Sequence, residues 1–387
     1  MKAANEECHD EPLSSLPPFL QSSILITYRS VGLGLYGAIM RYAGMPLEKI
    51  ALYMNSSQVS GKNQLRQAIH LTFQDGQTRS FLTPYKVVGP ASGVAWFLQY
   101  SVMGMVFQLC DRSLSAVLGI PVMPYGAQLM EDPANDQFDQ EENSTANKTK
   151  HGLKIILAPT FAGLVESMVS NRAEVQRFYG INKLAQVEST LKWNPISRIC
   201  GPAFLANSSR NCIMSATSFV ITPVLYRKYY TQEDKSKTSL FWFGLGVNIF
   251  LGNAIAITQQ SLWGRSLDYA CPKGDGSLAR NIHYRTVIKD ALNKEGIGAF
   301  LTVPKWASRV LMNAPVQGTL PWFYNEVLPL AEGALLSKSN EIYNGLQIPH
   351  KNVSPSTLAR KLTKNSQDLS FANNESKTTA TSPRLDR

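Results

Sequence analysis

Hydrophobic residues along this chain gather into long runs broken by isolated polar positions. The purest run is Leu240–Ile257, LFWFGLGVNIFLGNAIAI, interrupted only by Asn248 and Asn253. It approaches the length that crosses a bilayer as a helix, and no soluble domain needs it. Residues 24–50, 91–111, 153–171, 203–226 and 306–330 are further candidate spans of lower purity. Several carry one basic or amide residue in apolar surroundings: Arg29, Arg41, Gln99, Arg210 and Arg309. Inside a span such a residue is costly unless it faces a bundle interior or a wet cavity. The pattern therefore predicts six helices around a polar cavity. A soluble all-α protein with amphipathic core helices is the alternative that hydropathy leaves open.

The third run ends in SNRAEVQRFYG, residues 170–180, which gathers Arg172, Glu174 and Arg177. Residues three apart share one side of a helix, so Glu174 and Arg177 can pair locally; for an isolated pair, a solvated helix end is the plain reading. Composition narrows the field. A chain of 387 residues makes two or three soluble domains or one membrane protein. It is 44% hydrophobic and 17% charged, with a net charge of +10. Such basicity suits nucleic acid, an anionic membrane surface or an anionic substrate. The basic residues form no compact tract, which argues against nucleic acid. Cys8, Cys110, Cys200, Cys212 and Cys271 show no metal-ligand spacing and fit a reduced or membrane environment. His9, His70, His151, His283 and His350 are scattered, so no metal or other cofactor is expected. The opening MKAANEECHDEPLSS is acidic and lacks an apolar core, so no secretory or cleavable transit peptide is visible.

No Walker loop, GxSxG, HExxH or dinucleotide-binding turn is present, so no enzyme is expected. Gly32, Gly34 and Gly37 match GxGxxG in form, but inside an apolar helix they read as points of close helix approach. Loop charge alternates. Lys62, Arg66, Arg79 and Lys86, then Lys183, Lys192 and Arg198, follow odd-numbered spans, while the N-terminus and residues 131–143 are acidic. Positive-inside sorting favours that imbalance, with a solvated acidic loop as the plainer account.

Fragments also recur. GPASGVAWFLQYSVMGMVF (89–107) and GPAFLANSSRNCIMSATSF (201–219) hold Phe107 and Phe219 at one offset. FLTPYK (81–86) returns as FLTVPK (300–305), each after an acid–glycine pair, Asp75-Gly76 and Glu295-Gly296. Arg210 and Arg309 stand in matching places. Three units follow one order: a long apolar helix, a short polar helix, a second long helix. In this order, and in PLEKIA (46–51), RAEVQR (172–177) and QSLWGR (260–265), the chain resembles the mitochondrial carrier family. That family ends its odd-numbered helices in Pro-x-[Asp/Glu]-x-x-[Lys/Arg]. Pro46 and Glu48 match in the first unit, Glu174 and Arg177 in the second, and Arg265 in the third, where Gln260 and Leu262 fill the other places.

The resemblance covers 22–335 and implies an all-α membrane protein: six transmembrane helices in three pseudo-symmetric repeats with short matrix-side helices. It divides the chain into a polar N-terminal segment (1–21), repeats at 22–120, 151–232 and 237–335, an acidic loop (121–150) and a disordered polar tail (336–387). A partial matrix-side charge ring of Glu48, Glu174, Arg177 and Arg265 is implied, with Asp111 surviving from the opposite gate. Substrate contact is implied for Arg210, Asn211 and Arg309, with Leu98 and Gln99 in the matching place of the second span. Paired guanidiniums in a low-dielectric cavity can grip carboxylates bidentately. The implied activity is alternating-access transport of a small organic anion, a carboxylate or keto acid. A multi-pass monomer in the mitochondrial inner membrane or another organelle membrane follows, with cardiolipin at matrix-side helix N-termini and no nucleic-acid partner. The incomplete ring supports a second expectation: a carrier-fold protein without transport, acting as an adaptor or scaffold in an organelle membrane.

Overall fold

The computed structural model describes residues 16–54, 59, 63–75, 78–88, 91–129, 145–179, 181–190, 192, 194–201, 203–230, 237–270 and 283–347. The N-terminal residues to 15, the acidic stretch 131–143 and the tail beyond 347 lie outside these, as do Cys8, His9, Lys62, Gly76, Cys271 and His350. Residues 18–333 form the first of two compact units.

Within the first unit the chain runs as long helical rods alternating with short pieces. The first rod is α1 (Pro18–Ala43), continued after Gly44 by α2 (Met45–Met54). Short α3 (Gln64–Phe73), a two-residue ribbon of β1 (Gln74–Asp75) with β2 (Thr78–Arg79), and α4 (Thr83–Val88) lead to the second rod, α5 (Ala91–Leu118). The third rod is α6 (Thr145–Tyr179), followed by short α7 (Ile181–Thr190) and α8 (Pro195–Ile199). The fourth joins α9 (Phe204–Ala216) and α10 (Thr222–Tyr229) through a wide π-turn at Thr217–Ile221. The fifth joins α11 (Lys237–Val247) and α12 (Asn253–Ala270) through a wide turn at Asn248–Gly252. Short α13 (Tyr284–Glu295) precedes the sixth, where α14 (Val303–Asn313), α15 (Leu320–Trp322) and α16 (Pro329–Gln347) are joined by wide turns at Ala314–Gly318 and Phe323–Val327.

Each rod packs against the next in sequence: α1 on α5, α5 on α6, α6 on α9, α9 on α12 and α12 on α14. The last returns to the first, with α14 on α2 and the Ala314–Gly318 turn on α1. The rods therefore close a ring. Glycine sets the tightest seam. A Cβ at Gly34 would collide with Ser101 and the Phe97 carbonyl, and one at Gly37 with the Tyr100 ring. The close-approach reading of these two glycines holds at the α1–α5 contact, where added side-chain volume would overpack by about 1–3 kcal/mol. Gly163 does the same between α6 and α9, where a Cβ would stand 2.5 Å from the Cys212 backbone nitrogen. The wide turns at 217–221, 314–318 and 323–327 lead into Pro223, Pro321 and Pro329. Proline has no N–H and its ring crowds the carbonyl four residues back; a wide turn lets the rod pass it without breaking.

The rods bury many polar and charged groups beside their apolar clusters and expose large apolar side chains. On α6, Glu166, Ser167, Ser170, Asn171, Glu174 and Arg177 recur at helical spacing and are all buried. Trp242 and Phe250, by contrast, are 62% and 75% exposed. A soluble core seldom buries so many charged side chains. Among the described residues, four helices are long and apolar enough to cross a membrane: Pro18–Ala43, Ser92–Leu118, Ala146–Tyr179 and Leu240–Ala270. The rods at the expected spans 203–226 and 306–330 are helical but fall short of that apolarity. The cause is visible: they carry buried Asn207, Arg210 and Asn211, and Lys305, Arg309 and Asn313.

One boundary differs from expectation. The tail read from residue 336 is helical to Gln347, since Leu336, Lys338 and Glu341 favour helix and neither glycine nor proline intervenes before Gly345.

Candidate functional site

The inward stripes of the rods converge on one charged pocket. Its lining includes Arg41 and Glu48 from the first rod, Trp96 and Gln99 from the second, Glu166, Glu174 and Arg177 from the third, and Arg210 and Asn211 from the fourth. Gln260 and Trp263 come from the fifth rod and Arg309, Asn313 and Gln317 from the sixth. Burial removes water from these groups, so each charge needs a partner.

Most have one. Glu48 lies 3.2 Å from Arg177 and 3.8 Å from Arg41. Arg177 lies 3.7 Å from Glu174 on its own helix and faces the Trp96 ring at 4.9 Å. It is also held through its backbone, whose carbonyl accepts from Lys49 Nζ at 2.8 Å. Arg210 is the most committed: Nη2 donates to both Glu174 oxygens at 2.9 and 2.7 Å and closely to Asn207, Nη1 to Gln260 at 2.7 Å, and Nε to Asn211 at 3.0 Å. Arg41 Nε donates to the Tyr100 hydroxyl at 2.9 Å. Arg309 is the exception. It donates once, to Gln260 at 2.8 Å, its Nε has no hydrogen-bond partner, and it has no ion pair among the described residues. The space left among these groups is about 30 Å³, enough for a water or two.

Several expected residues meet here and others do not. Glu48, Glu174 and Arg177 form one cluster, and Gln99, Arg210, Asn211 and Arg309 line the same pocket. Glu174 and Arg177 are 5% and 7% exposed, so the solvated-end reading of that pair is corrected: the charges point into the ring. Leu98 is 45% exposed and leaves the site, because each helical residue turns about 100° from the last. Arg265 also leaves the expected charge ring. It pairs with Glu295 at 2.7 Å and donates to the Ala299 carbonyl at 3.2 Å, since α13 offers a nearer acid than the pocket does. That hydrogen bond holds the Glu295 carboxyl below its ordinary range.

Asp111 stands in a second cavity, of about 410 Å³, lined also by Arg29, Gln108, Tyr125, Tyr324 and Glu332. It lies 3.2 Å from Lys154 and accepts the Met123 N–H at 2.9 Å. Arg29 grips Glu332 through two bonds of 2.8 Å, stacks over Tyr125 at 3.6 Å, and Tyr125 donates to the same carboxylate at 2.5 Å.

Sequence reasoning missed Glu166, whose signal was an acid two turns before Glu174 on the same face. It also passed over Gln260, read only as a departure from proline, which accepts from both Arg210 and Arg309. Among the described residues no group of acids, histidines and cysteines could hold a metal. Compared with known proteins, the chain matches no family model, no curated protein and no solved structure.

Proposed function

We propose that the protein is a membrane carrier of the mitochondrial-carrier type, moving a small organic anion, a carboxylate or keto acid, by alternating access. On this reading all six rods span the mitochondrial inner membrane in three repeats, with α3, α7 and α13 on the matrix side. The observation that carries it is the arginine-rich pocket inside a closed ring of rods, where Arg309 has donors to spare. A guanidinium so placed offers a carboxylate two parallel hydrogen bonds at low dielectric. The contracted pocket and the wider second cavity fit the two ends of one path, the first shut and the second roomier. Arg210 serves this site by fixing Gln260 and Asn211 while its own charge is met by Glu174.

A second reading, an adaptor or scaffold without transport, draws on the same network. Arg210 is fully engaged and Arg265 is absent from the charge cluster, so less of a switching ring remains than alternating access uses. Reconstitution into liposomes with labelled di- and tricarboxylates and keto acids separates the two. Saturable uptake that is lost in Arg309→Ala, with carbonate-resistant insertion kept, supports the carrier. Absence of uptake for every anion, by well-inserted protein, favours the scaffold.

A further inference from the structure

The central pocket holds one acid that its ion-pair network leaves out. Glu166 is 2% exposed on the inward face of α6. Its Oε1 accepts one hydrogen bond, from the Gln99 amide at 2.7 Å, and its Oε2 has no hydrogen-bond partner. Glu48 and Glu174 each lie within ion-pair distance of guanidinium groups; Glu166 has no ion pair among the described residues. The charged and titratable groups whose fields reach it are Arg41 from α1, Tyr100 from α5, Glu174 from its own helix, and Arg210 and Cys212 from α9. Both cations are occupied elsewhere, Arg41 by Tyr100 and Glu48 and Arg210 by Glu174. Arg309 lines the same pocket with its Nε unfilled.

On the carrier reading, from which this follows, we propose that Glu166 is a proton-binding site and that the protein carries an organic dianion together with one proton. The charges lining the pocket are Arg41, Arg177, Arg210 and Arg309 against Glu48, Glu166 and Glu174. With Glu166 ionised the lining is four minus three, +1; with Glu166 protonated it is four minus two, +2. A water-poor site admits a ligand best when the charges cancel. A monoanion balances the ionised pocket. A dianion balances it only when Glu166 has taken a proton on its free oxygen, and that oxygen has no cation to give up in exchange. The proton enters with the dianion from the open side and leaves as Glu166 ionises on release at the other. Charge balances in either cycle: dianion plus proton, or monoanion alone, moves one net negative charge.

The test uses the full chain in liposomes holding a pH-sensitive dye, with 2-oxoglutarate as dianion and pyruvate as monoanion. Wild-type 2-oxoglutarate uptake should acidify the lumen mole for mole, and should slow about tenfold per unit rise in external pH once Glu166 is mostly ionised. Pyruvate uptake should carry no proton. Glu166→Gln should lose the proton flux and the pH dependence. In parallel, infrared difference spectra of the protein in bilayers between acid and alkaline pH should show a protonated-carboxyl band that Glu166→Gln lacks. Dianion uptake without acidification, or with acidification unchanged in Glu166→Gln, overturns the coupling and leaves the carrier reading standing. If neither these nor any other of the labelled di- and tricarboxylates and keto acids is taken up, the carrier reading fails, and the infrared band alone upholds or overturns Glu166 as the proton site.

Discussion

Glu174 and Arg210 are joined through a single guanidinium nitrogen that lies 2.9 Å from one carboxylate oxygen and 2.7 Å from the other. The pair ties the third rod to the fourth. Glu48 and Arg177 tie the first rod to the third at 3.2 Å, and Arg177 reaches back to Glu174 at 3.7 Å. The charges thus form a chain, Arg41–Glu48–Arg177–Glu174–Arg210, in which each acid lies between two cations. With three cations to two acids, removing either acid leaves the most charge unmatched.

Glu174→Ala should therefore be among the most damaging single changes in the ring. Removing one member of a buried pair costs about 3–5 kcal/mol, because the surviving charge is left dehydrated and unpaired. Arg210→Ala alone should cost less, since Glu174 keeps Arg177. The double variant Glu174→Ala with Arg210→Ala should be more stable than the sum of the single losses. Thermal unfolding in detergent, followed by circular dichroism, reads all three. Additive losses would show that the two residues do not act as a pair.

How much of this was legible beforehand depends on what spacing can and cannot fix. Helical periodicity places Glu174 and Arg177 on one face, and the impure runs foretell a polar interior, so Arg41, Gln99, Arg210 and Arg309 were found as residues. Reach is another matter. Arg265 fits its motif, yet its long side chain takes Glu295 at 2.7 Å, a partner thirty residues on that periodicity does not bring near. Leu98 and Gln99 differ by one position and thus by about 100° of rotation, which sends Leu98 out and Gln99 to Glu166. Gln260 breaks the motif, and its amide oxygen still accepts from Arg210 and Arg309. A motif weighs identities; the pocket weighs donors and acceptors.

Glu295, which lies outside the candidate membrane-crossing helices, predicts a pH effect through its pair with Arg265. The hydrogen bond from Arg265 depresses the folded-state carboxyl below its ordinary value of 4.5. A depressed acid contributes stability that is present above the unfolded pKa and is lost as pH falls through the folded one. Wild type should therefore lose Tm on acidification from about pH 5 downward more steeply than Glu295→Gln does. Glu295 is partly exposed, so at neutral pH the two should differ by no more than about 1 kcal/mol. Parallel Tm–pH profiles for the two proteins would remove the pair from the account.

The segment after α5 gives the last prediction. Residues 120–129 run along the wall of the larger cavity, where the Met123 N–H is held by Asp111 at 2.9 Å and the Pro121 carbonyl by Lys154 at 2.5 Å. At its far end the Gly126 N–H meets Asn325 at 3.4 Å, and Tyr125 is fixed between Arg29 and Glu332. Glu332 is the common acceptor, so neutralising it should release the strap and the Arg29 seam together. Loss of charge-assisted hydrogen bonds of this kind costs about 2 kcal/mol, equivalent to roughly thirtyfold in the open population. Met123 is 7% exposed, so a cysteine placed there reports opening. In protein lacking its native cysteines, Met123→Cys should react with a polar maleimide tens of times faster when Glu332→Gln is added. Tyr125→Phe, which removes one bond and keeps the Arg29–Glu332 pair, should raise the rate by a smaller factor. Equal rates in all three proteins would mean that Asp111, Lys154 and Asn325 hold the strap without Glu332, and that the Glu332 clamp fastens only the first rod to the sixth.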